Sequence, residues 1–186
     1  MTGLADGVVV AAWAVVLAHD AIRAARGHTG DGPARRVAGA VLLAVLVVTI
    51  AALERMGGGR RLTSPVLAVL GMALAVGGAA LHVAARRTLG AAWSARITPS
   101  GPVLVEDGPF GVVRHPLYLG IGLVAVGTLL AHPSIATASV AVGLGAGLAA
   151  KIPREERALA AAFGPRWDAY RARVPCVVPR FSSGRP

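Results

Sequence analysis

The sequence has little charge and few aromatic side chains. Charged residues make up 15% of its 186 residues and aromatic residues 4%, whereas 55% are hydrophobic. A soluble domain carries about 25% charged residues, so this composition is atypical of one. Intrinsic disorder is excluded as well, because it requires low hydrophobicity. We predict an integral membrane protein that forms a single domain over residues 1–186.

Cysteine and acidic residues are also scarce. The one cysteine, Cys176, excludes an internal disulfide and an all-cysteine metal site, and no metal site is predicted. Nine acidic residues stand against 19 Lys and Arg, for a net charge of +10. The basic residues lie between apolar segments, which is typical of charge that orients a membrane protein. The sequence contains no nucleic-acid-binding motif, so nucleic acid is not an expected partner.

Five apolar segments predict an all-α fold with five transmembrane helices, over residues 4–22, 37–53, 65–85, 117–131 and 134–152. The fourth would be roughly 22 Å long, which is shorter than a hydrocarbon core of roughly 30 Å. Only His132 and Pro133 separate it from the fifth, so we expect these two helices to form a tight antiparallel hairpin. We expect Pro153 to kink or restart the fifth helix, and a short helix over 166–173 to follow Gly164-Pro165.

The basic residues also predict an orientation. With the N-terminus outside, 16 of the 19 Lys and Arg fall on the cytoplasmic side, in agreement with the positive-inside rule. The loop at 86–116 and the tail from 151 then both lie at the cytoplasmic face, and the hairpin brings them together. The Arg-, Ala- and Gly-rich composition is typical of a high-GC bacterium, so we predict a bacterial inner-membrane protein with a cytoplasmic C-terminus.

The loop ends in Gly-Pro-Phe-x-x-x-Arg-His-Pro-x-Tyr-x-Gly at 108–120. Pro116 suits the first turn of a helix, and His115 and Tyr118 would flank that turn. Its backbone N–H groups would then be free to bind a carboxylate. The alternative is an ordinary loop-to-helix junction whose Arg, His and Tyr side chains lie at headgroup depth.

The tail begins with Glu155 and Glu156, followed by Leu159 and Phe163 at intervals of four residues. This spacing places an acidic end and an apolar stripe on one helical face. Taken alone, the glutamates are equally explained as a solvated helix end balanced by neighbouring arginines.

Together the two stretches resemble the isoprenylcysteine carboxyl methyltransferase family, which is related to the phospholipid N-methyltransferases. The resemblance rests on the 108–120 motif, on Glu-Glu-x-x-Leu-x-x-x-Phe-Gly-x-x-Trp-x-x-Tyr at 155–170, on Arg-Val-Pro at 173–175 and on Leu-Gly-x-x-Trp-Ser at 89–94. It covers about residues 86–181. The N-terminal segments carry no matching motif.

The resemblance implies an all-helical membrane enzyme that uses S-adenosylmethionine and releases S-adenosylhomocysteine. Carried over by position, the cofactor-binding residues would be Arg114, His115, Pro116, Tyr118, Leu119, Gly120, Glu155, Glu156 and Tyr170. The substrate-binding residues would be Trp93, Arg171 and Arg173, and the catalytic residues Arg173 and Glu156. The implied reaction is O-methylation of a carboxylate on an isoprenoid or other lipid-like acceptor at the membrane–cytoplasm boundary, with no required protein partner.

Alternatives to this reaction remain open. A carboxylate is ionised at neutral pH and needs only a positive anchor, for which Arg173 is the candidate and Arg171 the reserve. A phospholipid or other amine would need a proton acceptor instead, and Glu156 is the candidate. A membrane reductase with a nicotinamide cofactor, or a small transporter, would also account for the apolar segments.

Two further sets of residues are of interest. Asp20 and His82 lie near the ends of their segments, where ionisable groups are usually interfacial. We also expect Gly71, Gly77, Gly78 and the three glycines at 143, 145 and 147 to allow close helix packing.

Overall fold

The computed structural model describes residues 2–25, 64–90 and 103–179. All regular structure in these ranges is helical: α1 (Thr2–Ala25), α2 (Pro65–Leu89), α3 (Pro109–Val112), α4 (Pro116–Ala131), α5 (Ile135–Phe163) and α6 (Pro165–Arg173). The predicted span at 37–53 and the predicted substrate-binding residue Trp93 lie outside the described residues. The all-α prediction is confirmed for the part of the chain that is described.

Helices α2 and α4 approach each other closely because glycines replace side chains at their contact. A Cβ atom on Gly78 would lie 2.6 Å from the Gly120 carbonyl oxygen, and one on Gly71 would lie 2.6 Å from the Gly127 carbonyl oxygen. Ala75 and Val124 fill the space between these two glycine contacts and are fully buried. Close approach of backbones through small residues is how helices associate in a membrane.

Helix α1 packs against this pair with one apolar face, formed by Val9, Ala12, Trp13 and Val16. The indole Nε1 of Trp13 donates a hydrogen bond of 3.0 Å to the Thr128 hydroxyl of α4. A buried indole N–H requires such a partner. This bond therefore fixes the position of α1 along the axis of α4.

Near the other end of α1, the Asp20 carboxylate contacts a histidine and an arginine of α2. Its carboxylate lies 3.1 Å from His82 Nε2 and 2.9 Å from Arg86 Nε. His82 is only 1% exposed, and its Nδ1 lies 3.4 Å from the Leu117 carbonyl oxygen. His82 is therefore buried inside the protein against Asp20, a partner that the sequence spacing does not reveal, while its interfacial depth in a membrane stays a prediction.

Three residues connect α4 to α5, and the start of α5 is capped. The Ser134 hydroxyl accepts from the Thr137 N–H, while the Thr137 hydroxyl accepts from the Ser134 N–H. This reciprocal capping box satisfies two N–H groups that a helix start leaves unpaired. Beyond it, Leu144 of α5 packs with the core near Val124, and Leu148 and Ile152 pack near Leu117 and Tyr118.

Helix α5 continues through Pro153 to Phe163, so the expected restart at Pro153 does not occur. The carbonyl of Pro153 instead accepts a bond of 3.2 Å from Arg157 Nε. The helix is about 43 Å long, which exceeds the roughly 30 Å hydrocarbon core. Glu155 and Glu156 lie about 30 Å from its start. They therefore lie where a spanning α5 would leave the hydrocarbon.

The chain turns sharply between α5 and α6 at Gly164, whose φ of +53° is in the left-handed region. Glycine adopts this conformation without the Cβ penalty, and Pro165 then begins α6. The predicted break at Gly164-Pro165 and the short helix after it are confirmed, with α6 beginning one residue earlier than expected.

Helices α2 and α5 have the length and apolar composition to cross a membrane, whereas the apolar α4 is shorter. Large apolar side chains are exposed on both long helices, including Val66, Ile135 and Val142. The count of five spans stays a prediction. The glycine prediction holds for Gly71 and Gly78, but a Cβ on Gly77, Gly143, Gly145 or Gly147 would meet no described atom within 4 Å.

We predict that Gly78→Ala destabilises the protein while the neighbouring Gly77→Ala does not. The Gly78 Cβ would force α2 and α4 apart, at a cost of about 1–3 kcal/mol typical of overpacking. Gly77 meets no described neighbour, so its substitution should change the free energy of unfolding by at most about 1 kcal/mol. Thermal unfolding in detergent measures the difference. Equal midpoints for the two variants would contradict the close helix contact.

Candidate active site

Two backbone hydrogen bonds join the segment before α4 to the segment after α6. The Arg114 N–H donates to the Pro175 carbonyl at 2.8 Å, and the His115 N–H donates to the Cys176 carbonyl at 3.0 Å. Val113 and Val174 have extended backbones on either side of this contact. The sequence motif at 108–120 and the Arg-Val-Pro stretch are thus neighbours in space, although some 60 residues separate them.

Arg114 connects this contact to α5. Its Nη2 and Nε donate to Glu156 Oε1 at 2.6 and 2.9 Å. Its Nη1 donates to the carbonyls of Arg171 and Val174, and its guanidinium lies over the Trp167 ring at 5.8 Å. All three nitrogens are therefore engaged, and we assign Arg114 to holding Glu156 and the C-terminal segment in place.

His115 and Tyr118 stack on each other and each contacts one glutamate of the acidic pair. Their ring centroids lie 5.6 Å apart with an interplanar angle of 12°. The Tyr118 hydroxyl donates to Glu155 Oε2 at 2.6 Å, and His115 Nε2 lies 3.3 Å from Glu156 Oε1. The two sequence motifs therefore meet in one cluster, as the hairpin argument requires.

A cation already lies against the aromatic part of this cluster. The ammonium nitrogen of Lys151 is 5.1 Å from the centroid of the Tyr118 ring, within the range of a cation–π contact. Lys151 is the only lysine in the chain and lies one helical turn before Glu155. Sequence reasoning missed this residue, although its spacing of four from Glu155 would have placed it on the same helical face.

Four backbone amides around the start of α4 are engaged, whereas the sequence-based expectation is that this turn is free. The Tyr118 and Leu119 N–H groups both donate to the His115 carbonyl, at 3.1 and 3.0 Å. Since the amides of Arg114 and His115 are bound as well, these four groups cannot receive a carboxylate.

Tyr170 belongs to a packing cluster beside the site, with Trp167 and Val174. Its hydroxyl donates to the Phe110 carbonyl at 2.7 Å, and burial raises the pKa of this phenol to about 12. Trp167 is 1% exposed and meets the Tyr170 ring edge-on. Tyr170 thus fixes α6 against α3, and it is not among the side chains that contact the glutamates.

The two candidate anchor arginines are exposed and engaged by other carboxylates. Arg173, with 67% of its side chain exposed, binds Glu106 Oε2 through Nη2 at 2.7 Å. Arg171 Nε lies 3.2 Å from Asp168 Oδ1. Neither arginine side chain contacts the His115–Glu156 cluster. The Glu106 contact nevertheless shows that Arg173 binds a carboxylate at this face.

The remaining predicted cofactor residues form the start of α4. Pro116 is buried in its first turn, and Leu119 is half-buried. Gly120 is required by packing, because a Cβ there would lie 2.7 Å from the Gly78 carbonyl oxygen and 2.9 Å from the His82 nitrogen. These residues place His115 and Tyr118 rather than adding polar groups to the site.

Cys176 joins the cluster through its side chain, which sequence reasoning also missed. Its thiol donates to Glu156 Oε1 at 3.5 Å. Burial, followed by the Glu156 charge, raises the pKa of this thiol above its usual value. For His115, burial has the opposite effect and lowers the pKa of the imidazole, although the charges of Glu155 and Glu156 partly oppose that shift. The thiol is therefore protonated at neutral pH, and burial favours a neutral imidazole.

The cluster combines two carboxylates with a stacked aromatic pair and a nearby ammonium group. Carboxylates at such a site accept from ammonium and hydroxyl groups, and the aromatic faces attract cations. The arrangement suits a ligand that carries an ammonium group, ribose-type hydroxyls and a further positive charge.

Comparison with known proteins gives a consistent result. The sequence model of the isoprenylcysteine carboxyl methyltransferase (ICMT) family matches residues 69–161, which is half of the chain. The matched region runs from α2 to the end of α5 and includes His115, Tyr118 and both glutamates. No solved structure matches the chain.

Three curated relatives match the chain over part of their length. A protein-S-isoprenylcysteine O-methyltransferase of Schizosaccharomyces pombe is 35% identical over 78 residues, covering 41% of this chain and 33% of that protein. The protein-S-isoprenylcysteine O-methyltransferase B of Arabidopsis thaliana is 38% identical over 78 residues, covering 41% and 39%. The cobalt-zinc-cadmium resistance protein CzcN of Cupriavidus metallidurans is 33% identical over 123 residues, covering 64% and 52%. The match thus spans between a third and about half of these relatives' length.

We predict that Glu156→Gln makes the Cys176 thiol more reactive towards iodoacetamide at pH 7.5. The substitution removes the charge that helps to raise the thiol pKa, so more thiolate is present at that pH. The pH–rate profile should shift to lower pH while its high-pH plateau stays the same. Asp107→Asn, an exposed carboxylate outside the cluster, is the matched control and should leave the profile unchanged. A higher plateau without a shift would indicate greater access to solvent instead, and would contradict the contact.

Proposed function

The chain belongs to the ICMT family, and on that basis we propose that it transfers a methyl group from S-adenosylmethionine to a lipophilic acceptor at the membrane–cytoplasm boundary. The acceptor we propose is a carboxylate on an isoprenoid or other lipid-like molecule. One observation supports this most: Arg114, His115 and Tyr118 of one motif contact Glu155 and Glu156 of the other.

The residues present fit S-adenosylmethionine by their chemistry. The two glutamates provide acceptors for its ammonium group and ribose hydroxyls. The Tyr118 ring, which already has the Lys151 ammonium over it, offers an aromatic face to the sulfonium, an attraction of about 0.5–2 kcal/mol. The Lys151 ammonium is in turn a cation for the carboxylate of the amino-acid moiety, since the amides of Arg114, His115, Tyr118 and Leu119 are engaged.

The bound cofactor supplies an electrophilic methyl group on a positively charged sulfur. A carboxylate acceptor would take up this methyl group without losing a proton, and S-adenosylhomocysteine would be released. The task of the chain is to align the reacting atoms, and such placement contributes roughly 7–11 kcal/mol. Tyr118 and the two glutamates do this on the cofactor side, held by Arg114.

On the acceptor side we propose Arg173 as the anchor for the carboxylate. Its guanidinium binds Glu106 through Nη2 in the structure. An acceptor carboxylate would replace Glu106 at this guanidinium. Arg171 is the reserve, and Trp93 remains a proposed contact for the acceptor.

An amine acceptor would instead require Glu156 as the proton acceptor. Glu156 already accepts two hydrogen bonds from Arg114 on a single oxygen. This ion pair stabilises the carboxylate as an anion and makes it a weak base. The contact therefore favours a carboxylate acceptor over a phospholipid amine.

The proposed placement is the inner membrane of a bacterium, with the N-terminus outside and the C-terminus in the cytoplasm. It is supported by the distribution of basic residues and by the length of α5, which carries the glutamates about 30 Å from its start. The site would then receive its polar cofactor from water and its apolar acceptor from lipid.

We predict that S-adenosylhomocysteine binds the detergent-purified protein and raises its unfolding temperature, whereas NADPH does not. At 100 times its dissociation constant a ligand adds about 2.7 kcal/mol of stability. Glu155→Ala and His115→Ala should each weaken binding at least tenfold, or about 1.4 kcal/mol. Arg154→Ala, an exposed neighbour of Glu155, is the control and should bind normally. Stabilisation by NADPH alone would favour a reductase, and the absence of any stabilisation would contradict the methyltransferase proposal.

We further predict that Arg173→Ala abolishes turnover of a prenylated thioether carboxylic acid but leaves affinity for S-adenosylhomocysteine nearly unchanged. The anchor contacts the acceptor and not the cofactor, so only acceptor binding and turnover should suffer. Arg166→Ala, an exposed arginine on the same helix, is the matched control in methyl-transfer and binding assays. Equal loss of turnover and cofactor affinity would instead place Arg173 in the cofactor pocket.

A further inference from the structure

Three side chains in the cluster carry donor atoms that bind metal ions. One ring nitrogen of His115, one carboxylate oxygen of Glu156 and the sulfur of Cys176 all lie within 4.8 Å of one another. The carboxylate oxygen is 3.3 Å from the imidazole nitrogen and 3.5 Å from the sulfur. Donors around a tetrahedral zinc ion lie about 3.3–3.8 Å apart, given bond lengths of about 2.0–2.3 Å. The two separations from the Glu156 oxygen already match this range.

The backbone holds the donors near one another. The His115 N–H donates to the carbonyl of Cys176 itself, so the two residues lie side by side. Glu156 projects from α5, where Arg114 fixes its carboxylate. The three donors therefore come from three separate parts of the chain, each positioned by contacts other than those among the donors.

The types of donor select the class of metal. Sulfur, imidazole and one carboxylate together suit borderline and soft divalent ions such as Zn²⁺, Co²⁺ and Cd²⁺, whereas Mg²⁺ and Ca²⁺ prefer oxygen ligands alone. We propose that His115, Glu156 and Cys176 form a binding site for a divalent cation of the zinc, cobalt and cadmium class, with a fourth position open to water or an added ligand.

Arg114 remains compatible with a bound cation. Its Nη1 has the carbonyls of Arg171 and Val174 as further acceptors, and its plane lies against Trp167. A metal-bound Glu156 can keep Arg114 as an outer hydrogen-bond partner, which is how ligating carboxylates are commonly oriented. The Cys176 thiol proton is released to solvent when the sulfur binds the metal.

Metal binding would occupy two of the groups that the proposed function assigns to the cofactor. A cation held by Glu156 withdraws its carboxylate from the ammonium group and ribose of S-adenosylmethionine, and the same cation occupies His115. The site therefore makes cation and cofactor mutually exclusive; this part of the inference rests on the proposed function.

Cobalt spectroscopy of the full chain tests the site, with any affinity tag removed so that no added histidine competes. Titration with Co²⁺ should produce a thiolate-to-cobalt charge-transfer band that saturates at equimolar metal. Cys176 is the only thiol, so the band reports this residue alone. Cys176→Ser should abolish it, and Glu156→Gln should weaken Co²⁺ binding at least about tenfold. Asp107→Asn, the exposed control carboxylate, should bind Co²⁺ like the unmodified sequence.

Absence of the charge-transfer band in the unmodified protein, or an unchanged Co²⁺ affinity in Glu156→Gln, would overturn the site. If Cys176→Ser does not fold, the folded protein with its thiol blocked by N-ethylmaleimide replaces it. Zn²⁺ should raise the dissociation constant of S-adenosylhomocysteine in the unmodified protein but not in Cys176→Ser, and an unchanged constant would overturn mutual exclusion. Failure of S-adenosylhomocysteine to bind without metal would contradict the proposed function and leave the cobalt result standing.

Discussion

The ion pair between Arg114 and Glu156 holds the site together. The Arg114 guanidinium binds the carboxylate of Glu156 in α5 and the carbonyls of Arg171 and Val174. It also lies over the face of the Trp167 ring. A lysine in this position could not make these contacts at once, because it lacks the planar fork of five donors. The half-buried carboxylate in turn depends on the guanidinium, since a buried charge without a partner is strongly destabilising. The ion pair is therefore needed to hold the segments of the site together, in addition to any role in function.

The packing and length of the helices determine where this cluster lies. Helices α2 and α4 approach through Gly78 and Gly120, which fixes the start of α4 and with it His115 and Tyr118. Helix α5 is long enough to leave a roughly 30 Å hydrocarbon core at its glutamates. The apolar pair of α2 and α4 thereby fixes the position of a polar cluster, which would lie where water and lipid meet if α5 spans a membrane.

Much of this was predictable from local signals. Pro116, Gly164 and the four-residue spacing after Glu155 each have a direct backbone consequence, and the helices begin and end close to where these residues indicate. The pairing of the two motifs also followed from the short link between α4 and α5. The contacts of Asp20 with His82, of Cys176 with Glu156 and of Lys151 with Tyr118 could not be predicted, because they join residues whose separation or side-chain direction no local pattern encodes. The continuity of α5 through Pro153 also could not be predicted, because an interior proline removes one backbone hydrogen bond but does not always end a helix.

The central claim is that the two motifs form one cofactor site. Hydrogen–deuterium exchange of the detergent-purified protein, with and without S-adenosylhomocysteine, tests it most directly. The account predicts slower exchange in peptides that cover residues 113–119 and 174–179, with no change at the start of α5 over 135–140. Binding of S-adenosylhomocysteine that leaves both of the first two segments unchanged would contradict the account.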